Sequence, residues 1–138
     1  APASTPFAAL RYYAPTAEKV AAASRQQVID LGLTTRRAET VQALAQAMAN
    51  GALRLEPGVD PEPTLAAMQA LPGIGPWTAH YVAMRALGWP DAFPDGDLGL
   101  LKAIAAPNHR ALREAAEAWR PWRAYAAIHF WRSLSSGG

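Results

Sequence analysis

The chain has 138 residues, no cysteine, and thirteen basic against eleven acidic residues, for a formal charge of +2. That length fits one domain with enough core to fold alone. The lack of cysteine excludes disulfides, zinc–thiolate sites and iron–sulfur clusters, and 17% charged beside 51% hydrophobic residues excludes a disordered polyelectrolyte. Eleven of the basic residues are Arg, and a pI near 9.3 permits a polyanionic partner without requiring one. No apolar run approaches the length of a membrane span. The opening residues APASTPFAAL lack the basic region and apolar core of a secretory signal, so none is visible.

Strand-like alternation of Val, Ile and Thr is missing, and Ala, Leu, Glu, Gln and Arg dominate, which predicts an all-α fold. Residues 16–23 follow Pro15 and read as a short helix. Ser24 caps a second one, Arg25 to Leu31, which Gly32 stops. Thr34 or Thr35 opens the longest helix, running to Asn50 with Gly51 after it. Its apolar positions Ala38, Val41, Leu44, Ala45 and Met48 share one face. Residues 53–63 read as a loop because Pro57, Gly58, Pro61 and Pro63 break it, and residues 64–70 as a short helix. Pro76 to Leu87, Asp97 to Ile104, Asn108 to Trp119 and Pro121 to Leu134 are the remaining predicted helices. Trp119 and Trp122 read as core, Trp89 as part of a helix stop, and residues 135–138 as a frayed tail.

The most informative segment is the turn Leu71-Pro72-Gly73-Ile74-Gly75 between two helices. Glycines on either side of one apolar residue reach backbone conformations closed to other residues, and they let a ligand approach the main chain. Pro76 suits the first helical position. Such a turn presents amides at a positive helix end, which favours a phosphate. The same glycines also suit an ordinary αα-hairpin with a tight connection.

The run at 71–79, Leu-Pro-Gly-Ile-Gly-Pro-Trp-Thr-Ala, resembles the helix-hairpin-helix motif of DNA repair glycosylases. Phe93-Pro94-Asp95-Gly96-Asp97-Leu98-Gly99-Leu100 resembles the family's Gly/Pro-rich loop, with Asp97 on its catalytic position. Residues 119–126 resemble the closing segment, and residues 32–39 the start of the helix before the hairpin. The resemblance covers residues 15 to 133, and the branch it points to is the 3-methyladenine DNA glycosylase II type. It implies a helical fold built on a helix-hairpin-helix DNA-binding motif. Strand-cutting members carry a lysine near the start of the second hairpin helix. Here that position is Trp77, and no Lys lies between Lys19 and Lys102, so a Schiff-base nucleophile is missing. A monofunctional glycosylase follows, with no cofactor required.

Cleaving an N-glycosidic bond builds positive charge on the sugar, which a nearby carboxylate stabilises. Asp97 stands where a helix dipole keeps a carboxylate ionised, although an Asp there is also an ordinary N-cap. Asp95, in the same loop, is its competitor. By resemblance Trp77, Tyr81 and Trp131 line a base pocket, where aromatic faces would attract a cationic alkylated purine; three core aromatics are the rival reading. His80, His109 and His129 read as packed or surface residues. The amides of Gly73, Gly75 and Trp77 would hold a DNA phosphate. The resemblance also implies a monovalent cation, sodium or potassium, on the main-chain carbonyls of Gln69, Leu71 and Ile74. The expected partner is double-stranded DNA containing alkylated bases, bound by a monomer in the bacterial cytoplasm, on the nucleoid.

The family's helical domain begins before residue 1, so residues 1–138 are expected to be its carboxy-terminal part, continuous with an amino-terminal region. The segment that wedges into the duplex would lie there, which predicts weak or no activity from this chain alone. Two alternatives stand beside the enzyme: a non-catalytic helix-hairpin-helix DNA-binding module, and an inactive helical fragment.

Overall fold

The computed structural model describes residues 5–7 and 9–136. Among these every regular element is helical and no strand occurs, as the composition predicts. No helix among them is long and apolar enough to cross a membrane. The chain divides into two compact units. The first extends through Leu53 and takes in Leu71–Gly73; the second comprises Arg54–Ala70 and the chain from Ile74 onward.

In the first unit α1 (Ala17–Ala22) and α2 (Arg25–Ile29) pack on α3 (Thr35–Ala49). Their starts are dictated by the caps in the sequence. Ser24 and Gln27 form a reciprocal box: the Ser24 hydroxyl accepts from the Gln27 amide at 3.2 Å, and the Gln27 side chain accepts from the Ser24 amide at 2.8 Å. Thr34 caps α3. Such caps contribute about 1 kcal/mol each. Gly32 and Gly51 follow α2 and α3 with positive φ. Of the predicted α3 face, Ala38 and Ala45 are buried, while Val41 is 37% exposed. The short α1 and α2 leave Val41 on the rim of an apolar groove of about 540 Å³, lined also by Val20, Val28, Leu31 and Leu33.

The second unit begins with α4 (Pro61–Gln69) and α5 (Pro76–Val82), which pack together. Helix α4 starts three residues before the predicted Thr64. The Asp60 carboxylate accepts from the Glu62 amide at 3.2 Å, and a proline in the first turn costs no helical hydrogen bond, so Pro61 and Pro63 initiate rather than break. Helix α5 does not continue to Leu87 as α-helix. It widens into a π turn over Ala83–Leu87, closed by Gly88 in the left-handed region. Then come α6 (Leu98–Ala103), α7 (His109–Ala116) with a 3-10 turn at Glu117–Trp119, and α8 (Arg123–Ser136). Helix α6 packs on both α7 and α8 around Leu100 and Leu112, which are fully buried.

Two expectations about α8 need correction. It starts at Arg123, because residues 119–122 close a turn in which the Trp122 amide donates to the Trp119 carbonyl at 2.7 Å. Trp122, expected in the core, is 58% exposed and meets only the edge of Tyr125 among the ring contacts. Trp119 does turn inward, against Phe93 and Phe130.

Candidate active site

Asp97 is the N-cap of α6. Its Oδ1 accepts from the Leu100 amide at 2.8 Å, which alone would account for an aspartate at this position. Two further donors are not explained by capping. Trp131 Nε1, from α8, donates to Oδ1 at 2.9 Å, and Trp77 Nε1, from the first turn of α5, donates to Oδ2 at 2.8 Å. Three helices therefore meet at one carboxylate.

The rings that carry those N–H groups also meet one another. Trp77 and Tyr81 are four residues apart on α5. Their rings stack with centroids 5.3 Å apart and planes 7° from parallel. Tyr81 and Trp131 lie 6.1 Å apart, tilted by 49°. Trp77 and Tyr81 are each more than a third exposed, so they are not simply core aromatics. All four residues singled out by sequence, Asp97, Trp77, Tyr81 and Trp131, are thus in one cluster within the second unit.

Burial of Asp97 would raise its pKa. Hydrogen bonds from the Trp131 indole, the Leu100 amide, the Trp77 indole and the Gly99 amide outweigh this and hold it below the ordinary carboxylate value. Asp97 is therefore an ionised, partly exposed carboxylate. Asp95 is committed elsewhere: its carboxylate pairs with Arg113 at 3.0 Å, and its carbonyl oxygen meets the His109 ring at 2.9 Å.

Sequence reasoning missed Gly99. A Cβ built on it would stand 2.9 Å from Asp97 Oδ1 and 3.6 Å from Trp131 Cδ1. Glycine in the first turns of a helix, where alanine would be favoured, was the available signal.

The loop from Gly88 to Gly96 that delivers Asp97 is anchored on both sides. Asp91 is buried, and Arg123 grips it in a bidentate pair, Nε to Oδ1 and Nη2 to Oδ2, both at 2.7 Å. Arg120 adds a bond to Oδ2 at 2.5 Å. Burial works to raise the Asp91 pKa, but the hydrogen bonds and charge of Arg123, with the charge of Arg120, take it below its ordinary value. His80 of α5 accepts from the Phe93 amide at 3.2 Å through Nδ1 and stacks on Trp89. Burial lowers the His80 pKa, which suits this acceptor role. The reading of His80 as a packed residue agrees with this geometry.

In the turn before α5, Gly73 has φ of +81°, and a Cβ there would lie 2.1 Å from Thr40 Oγ1. Gly75 differs. It has ordinary extended backbone, an added Cβ would meet nothing within 4 Å, and no side chain caps the α5 N-terminus it precedes. The carbonyls of Gln69, Leu71 and Ile74 are hard, neutral oxygens of the kind that suits sodium or potassium. Among the described residues no group of three or more His, Cys, Asp and Glu could hold a metal ion.

No protein-family model matches the chain. Several curated relatives do. The probable bifunctional transcriptional activator/DNA repair enzyme AlkA of Mycobacterium tuberculosis is 44% identical over 108 residues, covering 75% of this chain and 22% of the relative. DNA-3-methyladenine glycosylase 2 of Escherichia coli is 37% identical over 117 residues, 85% of this chain and 42% of the relative. DNA-3-methyladenine glycosylase of Bacillus subtilis is 33% identical over 132 residues, 87% and 43%. The chain spans less than half the length of these curated relatives. The relatives it matches are bacterial proteins named for DNA repair or for DNA glycosylase activity. More narrowly, it resembles one portion of the DNA-3-methyladenine glycosylases of the second type.

Proposed function

We propose that this chain carries the chemical centre of a base-excision repair enzyme that hydrolyses the N-glycosidic bond of alkylated bases, 3-methyladenine among them, without cutting the strand. The observation that supports this best is the ionised Asp97 carboxylate bracketed by the Trp77 and Trp131 indoles, with Tyr81 stacked beside them. The target nucleotide leaves the stack. Positive charge then grows on its sugar as the bond to the base stretches, and Asp97 stabilises that charge and orients the attacking water. An alkylated purine is already cationic and leaves without a dedicated acid. The aromatic faces attract it through cation–π interaction.

In this reading double-stranded DNA lies across the turn, with the amides of Gly73, Gly75 and Trp77 on a phosphate, and a sodium or potassium ion on the carbonyls of Gln69, Leu71 and Ile74 supports the turn. Contacts of this kind hold the duplex without reading sequence. The protein works as a monomer in the cytoplasm, on the nucleoid. Trp77, standing where strand-cutting enzymes keep a lysine, supports simple hydrolysis. The region these 138 residues leave uncovered in the relatives would contribute the wedge that replaces the flipped base.

The test is release of 3-methyladenine from alkylated duplex by the polypeptide that carries this chain. Asp97→Asn should reduce excision by about 10²–10³ while folding and DNA binding persist. Asp95→Asn should do far less. Equal loss from both substitutions refutes the assignment. Undiminished excision by Asp97→Asn would favour a binding module whose apparent activity comes from elsewhere.

A further inference from the structure

A carboxylate in a partly exposed site rotates about two side-chain torsions unless both oxygens are held. The N-cap bond to Leu100 holds only Oδ1 of Asp97. The second oxygen is held by Trp77, and Trp131 adds a second bond to the first. Neither bond is required to seat the two rings as pocket walls, since a phenyl or naphthyl group could form a wall without donating.

Three titratable groups nearby are engaged elsewhere: Asp95 with Arg113, His109 with the Asp95 carbonyl, and His80 with the Phe93 amide. Lys102 on α6, Arg110 and Arg113 on α7, and Arg123 and Arg132 on α8 are the cations of these helices, and the main influences on Asp97 are burial and neutral hydrogen bonds. The main favourable influences on the charge at this site are thus fixed neutral dipoles.

We infer that Trp77 and Trp131 are positioning residues for Asp97, acting through their indole N–H edges as distinct from their aromatic faces. The two N–H groups set the plane of the carboxylate and keep it ionised, so the same two rings define the base pocket and aim the charge. The catalytic consequence rests on the glycosylase reading above; the clamp itself does not.

The experiment replaces each indole N–H without changing the ring outline. Trp77 or Trp131 of the chain is substituted by 3-benzothienylalanine, in which sulfur takes the place of N–H, and Trp77→Phe serves as a second variant. Asp97 is titrated by carboxyl carbon NMR, its resonance identified by its loss in Asp97→Asn. Removing either donor should move the Asp97 midpoint to higher pH, and removing both should move it further. Thermal unfolding should change little in the isosteric variants. Where excision is measured, kcat should fall more than KM rises, and the acid limb of the kcat profile should move to higher pH. An Asp97 midpoint unchanged in both isosteric variants overturns the clamp. If the wild type excises nothing, the glycosylase reading fails on its own, while the titration still decides the clamp.

Discussion

Gly99 and Asp97 compete for the same space: a Cβ on Gly99 would fall 2.9 Å from the Asp97 Oδ1 that receives both the Leu100 amide and the Trp131 indole. That separation is shorter than real side chains tolerate, so one of them must move. The carboxylate is held from three directions and the α6 backbone is regular, so the strain falls on the hydrogen bonds to Oδ1.

Gly99→Ala should therefore separate stability from activity. Alanine favours helix over glycine by up to about 1 kcal/mol, which offsets part of the crowding. The substitution should leave the unfolding free energy from urea titration within about 1 kcal/mol of wild type and reduce excision at least tenfold. A large loss of stability with activity retained per folded molecule would contradict this.

The two glycines of the turn should respond differently. Gly73→Ala places a side chain on left-handed backbone and 2.1 Å from Thr40 Oγ1, and should destabilise by about 1–3 kcal/mol in urea unfolding. Gly75→Asp meets no neighbour and should spare stability. It should weaken binding to damaged and undamaged duplex alike, with a smaller salt dependence than wild type. An effect confined to damaged duplex would count against the phosphate role.

Asp91→Ala should be among the most destabilising single changes in the second unit. It leaves Arg123, a mostly buried guanidinium, without its bidentate partner, a loss of about 3–5 kcal/mol for a buried pair broken from one side. The exposed Arg110–Glu114 pair on α7 is the contrast: Glu114→Ala should cost no more than about 0.5 kcal/mol. Because the folded-state pKa of Asp91 lies below its ordinary value, its contribution is present above the ordinary carboxylate pKa and fades as pH falls through the folded value. Unfolding series at several pH values test this.

His80 has the opposite chemistry and a different window. Its pKa is lowered on folding, so the unfolded chain binds the proton more readily. Stability should be full above the ordinary histidine pKa and decline as pH drops below it. His80→Asn, whose amide oxygen can accept from Phe93 in place of Nδ1, should flatten that decline between pH 7 and 5. An unchanged slope would assign the decline to other groups.

Helix starts were the most legible part of the sequence, because Ser24, Thr34, Asp97 and Asn108 act locally, through side-chain bonds to amides three residues on. The four-residue spacing of Trp77 and Tyr81 likewise puts them on one face of α5, where the structure shows them stacked. Trp131 was reached only through resemblance, since nothing local ties it to Asp97 thirty-four residues earlier. The Asp91 network was missed for the same reason: its partners lie 29 and 32 residues away. Pro61 was misread because one residue serves as breaker or initiator according to where it falls in the turn. The exposure of Trp122 depends on how the turn ahead of α8 points it, which composition does not encode. The π turn at Ala83–Leu87 had no signal in apolar periodicity, which is nearly the same for α and π windings over five residues.

The indole edges bonded to Asp97 limit how this site could change its substrate under the proposed reading. Recutting the pocket for a different base by altering Trp77 or Trp131 would also unseat the carboxylate, so selectivity and rate would fall together. Tyr81 shares the aromatic cluster, and its contacts there are through the ring face. It is the wall where variation in base preference carries the least catalytic penalty, and the position at which a selection for new lesions would first find success.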